Sequence, residues 1–403
     1  MKTLTLEPQT EVHRNVSIAE YYHGAVGSSK RTIEPPRISV MIIECENQIA
    51  VERWEAALKR AADANPTTRI KMVGQRQKSR WTSDGAPYPA LRVVQNCDWD
   101  GRSQEGAEFI DATPVDLRAG PVIELVIAKG KKDFVILRAQ HAVMDGMGML
   151  HFLREIFRGL RGEPLLGSNA AFSDVDLMLA TAAPPYQPGT KGVSIPLTGD
   201  TQGTDTSDVW RRLTLPLTPQ KNLLGRLAEL CANYARRFNE GLVRFAVPVN
   251  LRRHYPGLVS TSNFTGLIHI DMDKADDAES FRHKLRQALD DKRDVVYHRM
   301  VKLLIYLPMS WIDFGSGRHK GNYLNRKLAE TVLITNFGTV DLNEFACPDF
   351  TAHNVYSLPL AGNAFISLYA SGENLNVMIG MPKVYASGGR MEEFCEKVER
   401  MLS

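Results

Sequence analysis

The stretch Phe134-Val135-Ile136-Leu137-Arg138-Ala139-Gln140-His141-Ala142-Val143-Met144-Asp145-Gly146 decides how this chain reads. Residues 134–139 are apolar and partly β-branched, which predicts a strand. Beyond Gly146, Met149, Leu150, Leu153, Ile156, Phe157 and Leu160 recur at helical spacing. They predict a helix that stops near residues 158–162, where basic residues and Gly stand. His141, Asp145 and Gly146 therefore fall where a strand hands over to a helix. Such junctions expose side chains at the end of a sheet, where α/β proteins build their sites. Two readings are open from these residues alone. His141 could be an active-site imidazole, or a core histidine donating to a carbonyl, with Asp145 as the N-cap of the following helix. A metal set of His141, Asp145 and His151 has no familiar ligand spacing and no second cluster beside it, so no metal is expected.

Working outward, residues 122–128 form the other arm of a hairpin, with a turn at 129–133. Upstream, 38–43 reads as a strand and 51–64 as a helix, with Val51, Trp54, Leu58, Ala61 and Ala62 on one face. Asn65-Pro66 ends it. Two short strands follow at 69–73 and 79–82. Downstream, eight Pro and Gly residues between 184 and 203, with few large apolar residues, read as a linker. The expected organisation is a first lobe over 1–185, a crossover over 186–208 and a second lobe over 209–403. The second lobe predicts strands at 211–215, 243–249, 267–270 and 332–335, and a strand pair at 365–369 and 375–379. Thr218-Pro219 predicts a helix start, with Leu223, Leu224, Leu227, Leu230 and Cys231 as its buried stripe. Further helices carry Phe281, Leu285, Ala288 and Leu289, and Met391, Phe394, Cys395, Val398, Met401 and Leu402.

Composition bounds the function. Among 403 residues, 49 Lys+Arg against 46 Asp+Glu leave a formal net charge of +3, too little excess for a protein that lives on nucleic acid. At 43% hydrophobic and 24% charged residues, large-scale disorder is not expected. Five scattered Cys without a CxxC pair argue against a zinc ribbon or a dithiol site. No apolar run approaches the ~18 residues that span a bilayer. Residues 1–15 lack a basic start followed by an apolar core. A cytoplasmic monomer is the expectation.

Read together, the segments resemble the chloramphenicol acetyltransferase-like superfamily. It includes condensation domains, polyketide-associated acyltransferases, alcohol acetyltransferases and BAHD enzymes. Their shared HxxxD motif, often HHxxxDG, corresponds to Gln140-His141-Ala142-Val143-Met144-Asp145-Gly146. In the same order stand Pro114–Pro121, then Pro248-Val249-Asn250-Leu251-Arg252 beside "PVxLR", Ser262-Asn263-Phe264, and Thr335-Asn336-Phe337-Gly338 beside "SNxG". Gln140 departs from the first His of HHxxxDG, which leaves the base position intact. Asp313-Phe314-Gly315 precedes Asn336 and so reads as a chance match to the BAHD "DFGWG".

The resemblance implies an α/β fold of two lobes, each a mixed sheet with helices, and a tunnel at their interface. It implies transfer of an acyl group from a thioester to a hydroxyl or amine of a small acceptor, with His141 as general base, in specialised metabolism. The donor is acyl-CoA or an acyl group on a phosphopantetheinyl carrier protein; no tightly bound cofactor is implied. A neutral imidazole suits the base role, and a helix N-terminus beside it disfavours the charged form. No nucleophile elbow is present, so direct attack is expected over an acyl-enzyme. Asp145 is expected to pair with Arg252 across the lobes and to hold the motif loop. Oxyanion or substrate-binding candidates are the N–H groups of Gly146 and Met147 and the side chains of Thr335, Asn336 and Asn263; Asn336 reads equally well as a turn residue. The alternatives are a free-standing condensation enzyme forming an amide or ring, and a non-catalytic module that binds a carrier protein.

Overall fold

A computed structural model describes residues 7–28, 36–45, 49–182, 185, 191–218, 220–296, 299–315, 328–359, 362 and 364–403. In chain order the first elements are β1 (His13–Asn15), α1 (Ile18–Ala25), β2 (Ile38–Cys45), α2 (Trp54–Ala64), β3 (Lys71–Val73), β4 (Arg80–Thr82), β5 (Ala90–Cys97), β6 (Ile123–Gly130), β7 (Asp133–Gln140), α3 (Gly146–Leu160) and α4 (Asp174–Ala180). Then come β8 (Asp208–Pro216), α5 (Leu223–Ala235), β9 (Val243–Asn250), β10 (Thr265–Met272), α6 (Ala278–Asp290), β11 (Val332–Val340), β12 (Ala352–Ser357), β13 (Ala364–Ser371), β14 (Asn374–Pro382), α7 (Lys383–Ala386) and α8 (Arg390–Leu402).

Two sheets organise the chain. One has the order β12-β2-β7-β6-β5, the other β10-β9-β11-β13-β14-β8, and a small sheet β1-β4-β3 flanks the first. The fold is thus mixed α/β in two lobes. Strand β7 lies in the middle of the first sheet and is buried along its whole length. That is why its sequence is a near-continuous apolar run rather than an alternation. The hairpin turn is tighter than expected. Pairing from Ile123↔Ala139 continues to Ala128↔Phe134, and the strands extend until only Lys131 and Lys132 separate them. Helix α3 covers this sheet through Met149, Leu150, Leu153, Ile156 and Phe157, all buried in the first core.

The two halves are tied together through the sheets themselves. Strand β12, late in the chain, pairs antiparallel with β2 and forms an edge of the first sheet. Its Asn354 donates to Glu44 at 2.7 Å, and Arg212 of β8 donates to the same carboxylate at 2.6 Å. Of the expected crossover, residues 186–190 lie outside the described residues. Residues 194–198 join the second core through Ile195 and Leu197, and the Ser194 N–H donates to the Leu328 carbonyl and Thr198 to the Tyr385 carbonyl.

Two local expectations change. Pro219 lies outside the described residues, and the helix starts at Leu223 after Asn222, which adopts a left-handed φ of 54° and provides no side-chain cap. Apolar periodicity alone also missed α1, whose first turn is a capping box: Ser17 accepts from the Glu20 N–H, and the Glu20 side chain accepts from the Ser17 N–H. Glu20 is further held by Arg14, at 2.6 and 2.8 Å, and by the Trp81 indole at 3.0 Å. The signal for this helix was Ser17-x-x-Glu20, a polar pattern rather than an apolar stripe.

Candidate active site

The strand-to-helix junction is a tight turn. The N–H groups of Val143 and Met144 both donate to the Gln140 carbonyl, at 2.8 and 3.3 Å, while the His141 N–H donates to the Arg37 carbonyl at 2.9 Å. Gln140, the position at which HHxxxDG carries its first His, is buried and donates to the Val115 carbonyl at 2.5 Å. The Asn263 side chain, from the second half of the chain, donates to the His141 carbonyl at 2.8 Å. Backbone bonds on both sides thus fix where the imidazole starts.

The ring is fixed as well. His141 Nδ1 lies 3.3 Å from the Met144 carbonyl and 2.9 Å from Ser39 Oγ on β2. A carbonyl can only accept, so this contact places the proton on Nδ1 and leaves the lone pair on Nε2. Among the described residues nothing hydrogen-bonds Nε2. Burial, and after it the positive charge of Arg37, push the imidazole pKa down to about 4; the Met144 carbonyl and Asp145 oppose this without reversing it. At neutral pH the ring is a free base.

Asp145 takes a different place. It is the N-cap of α3, accepting from the Gly148 N–H at 2.7 Å. Its two oxygens also accept from Arg252 at 2.9 and 3.1 Å, from the Phe264 N–H at 2.7 Å and from Thr265 at 3.2 Å. Burial alone would raise its pKa, but Arg252 and the two backbone N–H groups outweigh it and the carboxyl is held below the ordinary range. The cap reading and the ion-pair reading of Asp145 therefore describe one arrangement. Arg252 sits in the 3-10 turn Leu251–His254 after β9 and also donates to the carbonyls of Ser260 and Ser262, at 3.0 and 2.5 Å. Both terminal nitrogens of the guanidinium are thereby hydrogen-bonded, as burial favours.

Two glycines let the halves meet here. A Cβ on Gly146 would lie 2.5 Å from the Phe337 ring, and one on Gly148 would lie 2.3 Å from the Thr261 carbonyl oxygen. Phe337 in turn stacks on Tyr369, with ring centroids 4.3 Å apart.

The remaining candidates are distributed. Thr335 is buried in β11 opposite Ser367. Asn336 is exposed and its side chain accepts from the Gly338 N–H at 2.8 Å, the turn role that its sequence also allowed. His151 turns away to the Gly167 carbonyl at 2.9 Å rather than joining His141 and Asp145. Asp313 is buried and accepts from the Gly27 N–H at 2.7 Å. A cavity of about 1380 Å³ opens among β1, β4, α4 and residues 305–306; His141 is not in its lining.

One residue beside His141 escaped the sequence reading. The His23 ring, on α1, lies with its centroid 4.3 Å from that of His141, edge to face at 65°. Finding it required recognising α1 first.

No protein-family model matches this chain, and no curated protein matches it. Solved structures do. The starter condensation domain of rhizomide synthetase RzmA, as a mutant in complex with C8-CoA, aligns with a TM-score of 0.68 at 14% identity, over 97% of this chain and 95% of that one. The condensation domain of the monacolin K polyketide synthase MokA aligns at 0.66 and 11% identity, over 98% and 97%. The epimerization domain from the third module of tyrocidine synthetase B aligns at 0.58 and 11%, over 99% and 98%. The chain has the two-lobe fold of these condensation domains.

Proposed function

We propose that the protein is an acyltransferase that moves an acyl group from a thioester to the hydroxyl or amine of a small acceptor, with His141 as general base. The carrying observation is the state of one ring. Nδ1 is anchored, no described residue hydrogen-bonds Nε2, and the imidazole is neutral far below pH 7. That is the state a base needs before the acceptor arrives.

In the proposed step the acceptor O–H or N–H bond breaks and its proton moves to Nε2. The electron pair left on the acceptor forms the bond to the thioester carbonyl carbon. When the tetrahedral intermediate collapses, the C–S bond breaks and the proton passes from Nε2 to the departing sulfur. Asp145 takes no part in proton transfer; it holds the loop through Arg252. The backbone N–H groups of Gly146 and Met147, at the start of α3, are candidate oxyanion donors, since the first N–H groups of a helix have no intrahelical acceptor. Asn263 contributes by fixing the His141 backbone.

Acyl-CoA is the donor class to test first, because the rhizomide synthetase domain of the same fold is solved with C8-CoA, and in one mutant also with Leu-SNAC, an aminoacyl thioester. A carrier-bound acyl donor and amide formation make the second reading. The test incubates the protein with acyl-CoA donors of graded chain length and mixed alcohol and amine acceptors, and follows free thiol release and product mass. Acceptor-dependent thiol release that His141→Ala abolishes is the expected result. Unchanged turnover in His141→Ala would end the general-base reading. Release only from acyl-pantetheinyl carrier protein would favour the second.

A further inference from the structure

Helix α1 is built to press one face against the His141 loop. Its N-terminus is locked by the Ser17–Glu20 capping box and the Arg14–Glu20–Trp81 contacts. Gly24 then allows close approach: a Cβ there would stand 2.6 Å from Leu117 and 3.6 Å from Ala142 Cβ. His23, one residue earlier, is thereby held edge to face against His141. Its Nδ1 is buried, and among the described residues it has no hydrogen-bond partner. A buried polar nitrogen without a partner is costly, and its retention at this contact calls for a reason.

We propose that His23 is a positioning residue for His141: its neutral imidazole holds the plane of the His141 ring and supplies a polar face that stabilises the positive charge appearing on His141 when it takes the acceptor's proton. This rests on the acyl-transfer reading of His141 and deepens it.

The charges around the pair support the assignment. Burial pushes the His23 pKa well below the imidazole range, with the charge of His141 and then Arg37 adding to it. His141 meets Arg37 as well, while Asp145 and the Met144 carbonyl act in the opposite sense. Tyr22 neighbours His23 on the same helix, and Arg37 lies over the Tyr22 ring at 5.4 Å. Ser39, the other polar neighbour, carries no charge. Two buried rings this close, both facing Arg37, take up at most one further proton, and so one positive charge, between them. The proton belongs on His141, whose Nδ1 has acceptors ready. His23 has none, so it stays neutral and serves the charged ring as a π face and a lone pair at short range. An apolar ring in its place would offer only the face.

The test compares wild type with His23→Phe, which keeps an aromatic ring, and His23→Asn, which keeps a polar group. The first readout needs no substrate: the His141 imidazole is titrated by NMR in protein carrying labelled histidine, with His141→Gln used for assignment. In His23→Phe the His141 pKa falls by about one unit, because the charged ring loses a polar neighbour. The second readout is turnover with a donor and acceptor that wild type uses. His23→Phe loses about tenfold in kcat with KM little changed, the factor that a one-unit fall in the pKa of the base corresponds to; His23→Asn recovers part of the loss. An unmoved His141 titration together with wild-type kcat in a folded His23→Phe would overturn the proposal. An unmoved titration with kcat lost equally in both variants would reduce His23 to packing, and overturn it too. If wild type turns over no thioester, the acyl-transfer reading has failed, and the titration alone still judges the His23–His141 contact.

Discussion

Asp145 and Arg252, 107 residues apart in sequence, meet in a two-pronged ion pair at 2.9 and 3.1 Å, with side chains only 4% and 11% exposed. One partner caps the helix that follows His141; the other closes a turn of the second lobe. The motif loop is therefore held by a bond between the lobes as well as by its own strand and helix.

Breaking that pair from either side leaves a buried charge unmatched, which costs about 3–5 kcal/mol. Asp145→Asn and Arg252→Ala are each expected to lower the urea midpoint by a corresponding amount. The double variant should lose far less than the sum, because the second change removes a charge already stranded. Additive losses in equilibrium unfolding would show that the two groups act independently.

Gly148→Ala tests the close approach beside the pair. In an exposed helix the change would gain about 1 kcal/mol of helix propensity. Here the new Cβ would lie 2.3 Å from the Thr261 carbonyl oxygen, a backbone atom that cannot rotate aside. The clash, of about 1–3 kcal/mol or more, outweighs the gain. Thermal unfolding should show a destabilised variant. Gly146→Ala meets the Phe337 ring instead, which can shift, and should cost less.

The pH profile follows from the His141 pKa of about 4. The base works unprotonated, so kcat/KM should hold as pH falls through 6.5 and decline only on approaching about 4. Stability responds earlier in the same direction. Between about 6.5 and 4 the unfolded chain binds a proton at this residue and the native chain does not, so this group makes the protein less stable as pH falls. A kcat/KM limb at pH 6–7, assigned by its absence from the His141→Gln residual rate, would contradict the buried, Arg37-facing environment.

Ser39 offers a gentler probe. Ser39→Ala removes one neutral hydrogen bond to His141 Nδ1 and leaves the Met144 carbonyl in place. A neutral bond is worth about 1 kcal/mol net, so kcat should fall by up to about tenfold with KM and Tm little changed. A rise in KM without a change in kcat would mean that Ser39 touches substrate.

Much of the fold was legible because the physics behind it is local. The buried central strand at 134–139 and the stripe of α3 come from periodicity, and Gly146 and Asp145 mark the helix start through capping chemistry. The resemblance carried Arg252, since the order of short segments survives where identity to solved relatives is 11–14%. Helix α1 escaped because its signal is a polar capping box; with it went His23. Asn336 stayed ambiguous because Asn before Gly serves a turn and an oxyanion site equally well, and its exposure and its bond to Gly338 put it in the turn.

The sequence by itself determined the layers, the place of His141 between strand and helix, and the residue types available for acyl transfer, because spacing and chain order are properties of a line. Only the tertiary structure decided the chemistry of the ring. Its tautomer depends on Ser39 and the Met144 carbonyl, its protonation on burial and Arg37, its neighbour on α1, and its anchor on Asn263 and Arg252. Each is a contact closed by folding, and an imidazole's basicity is set by what surrounds it in space.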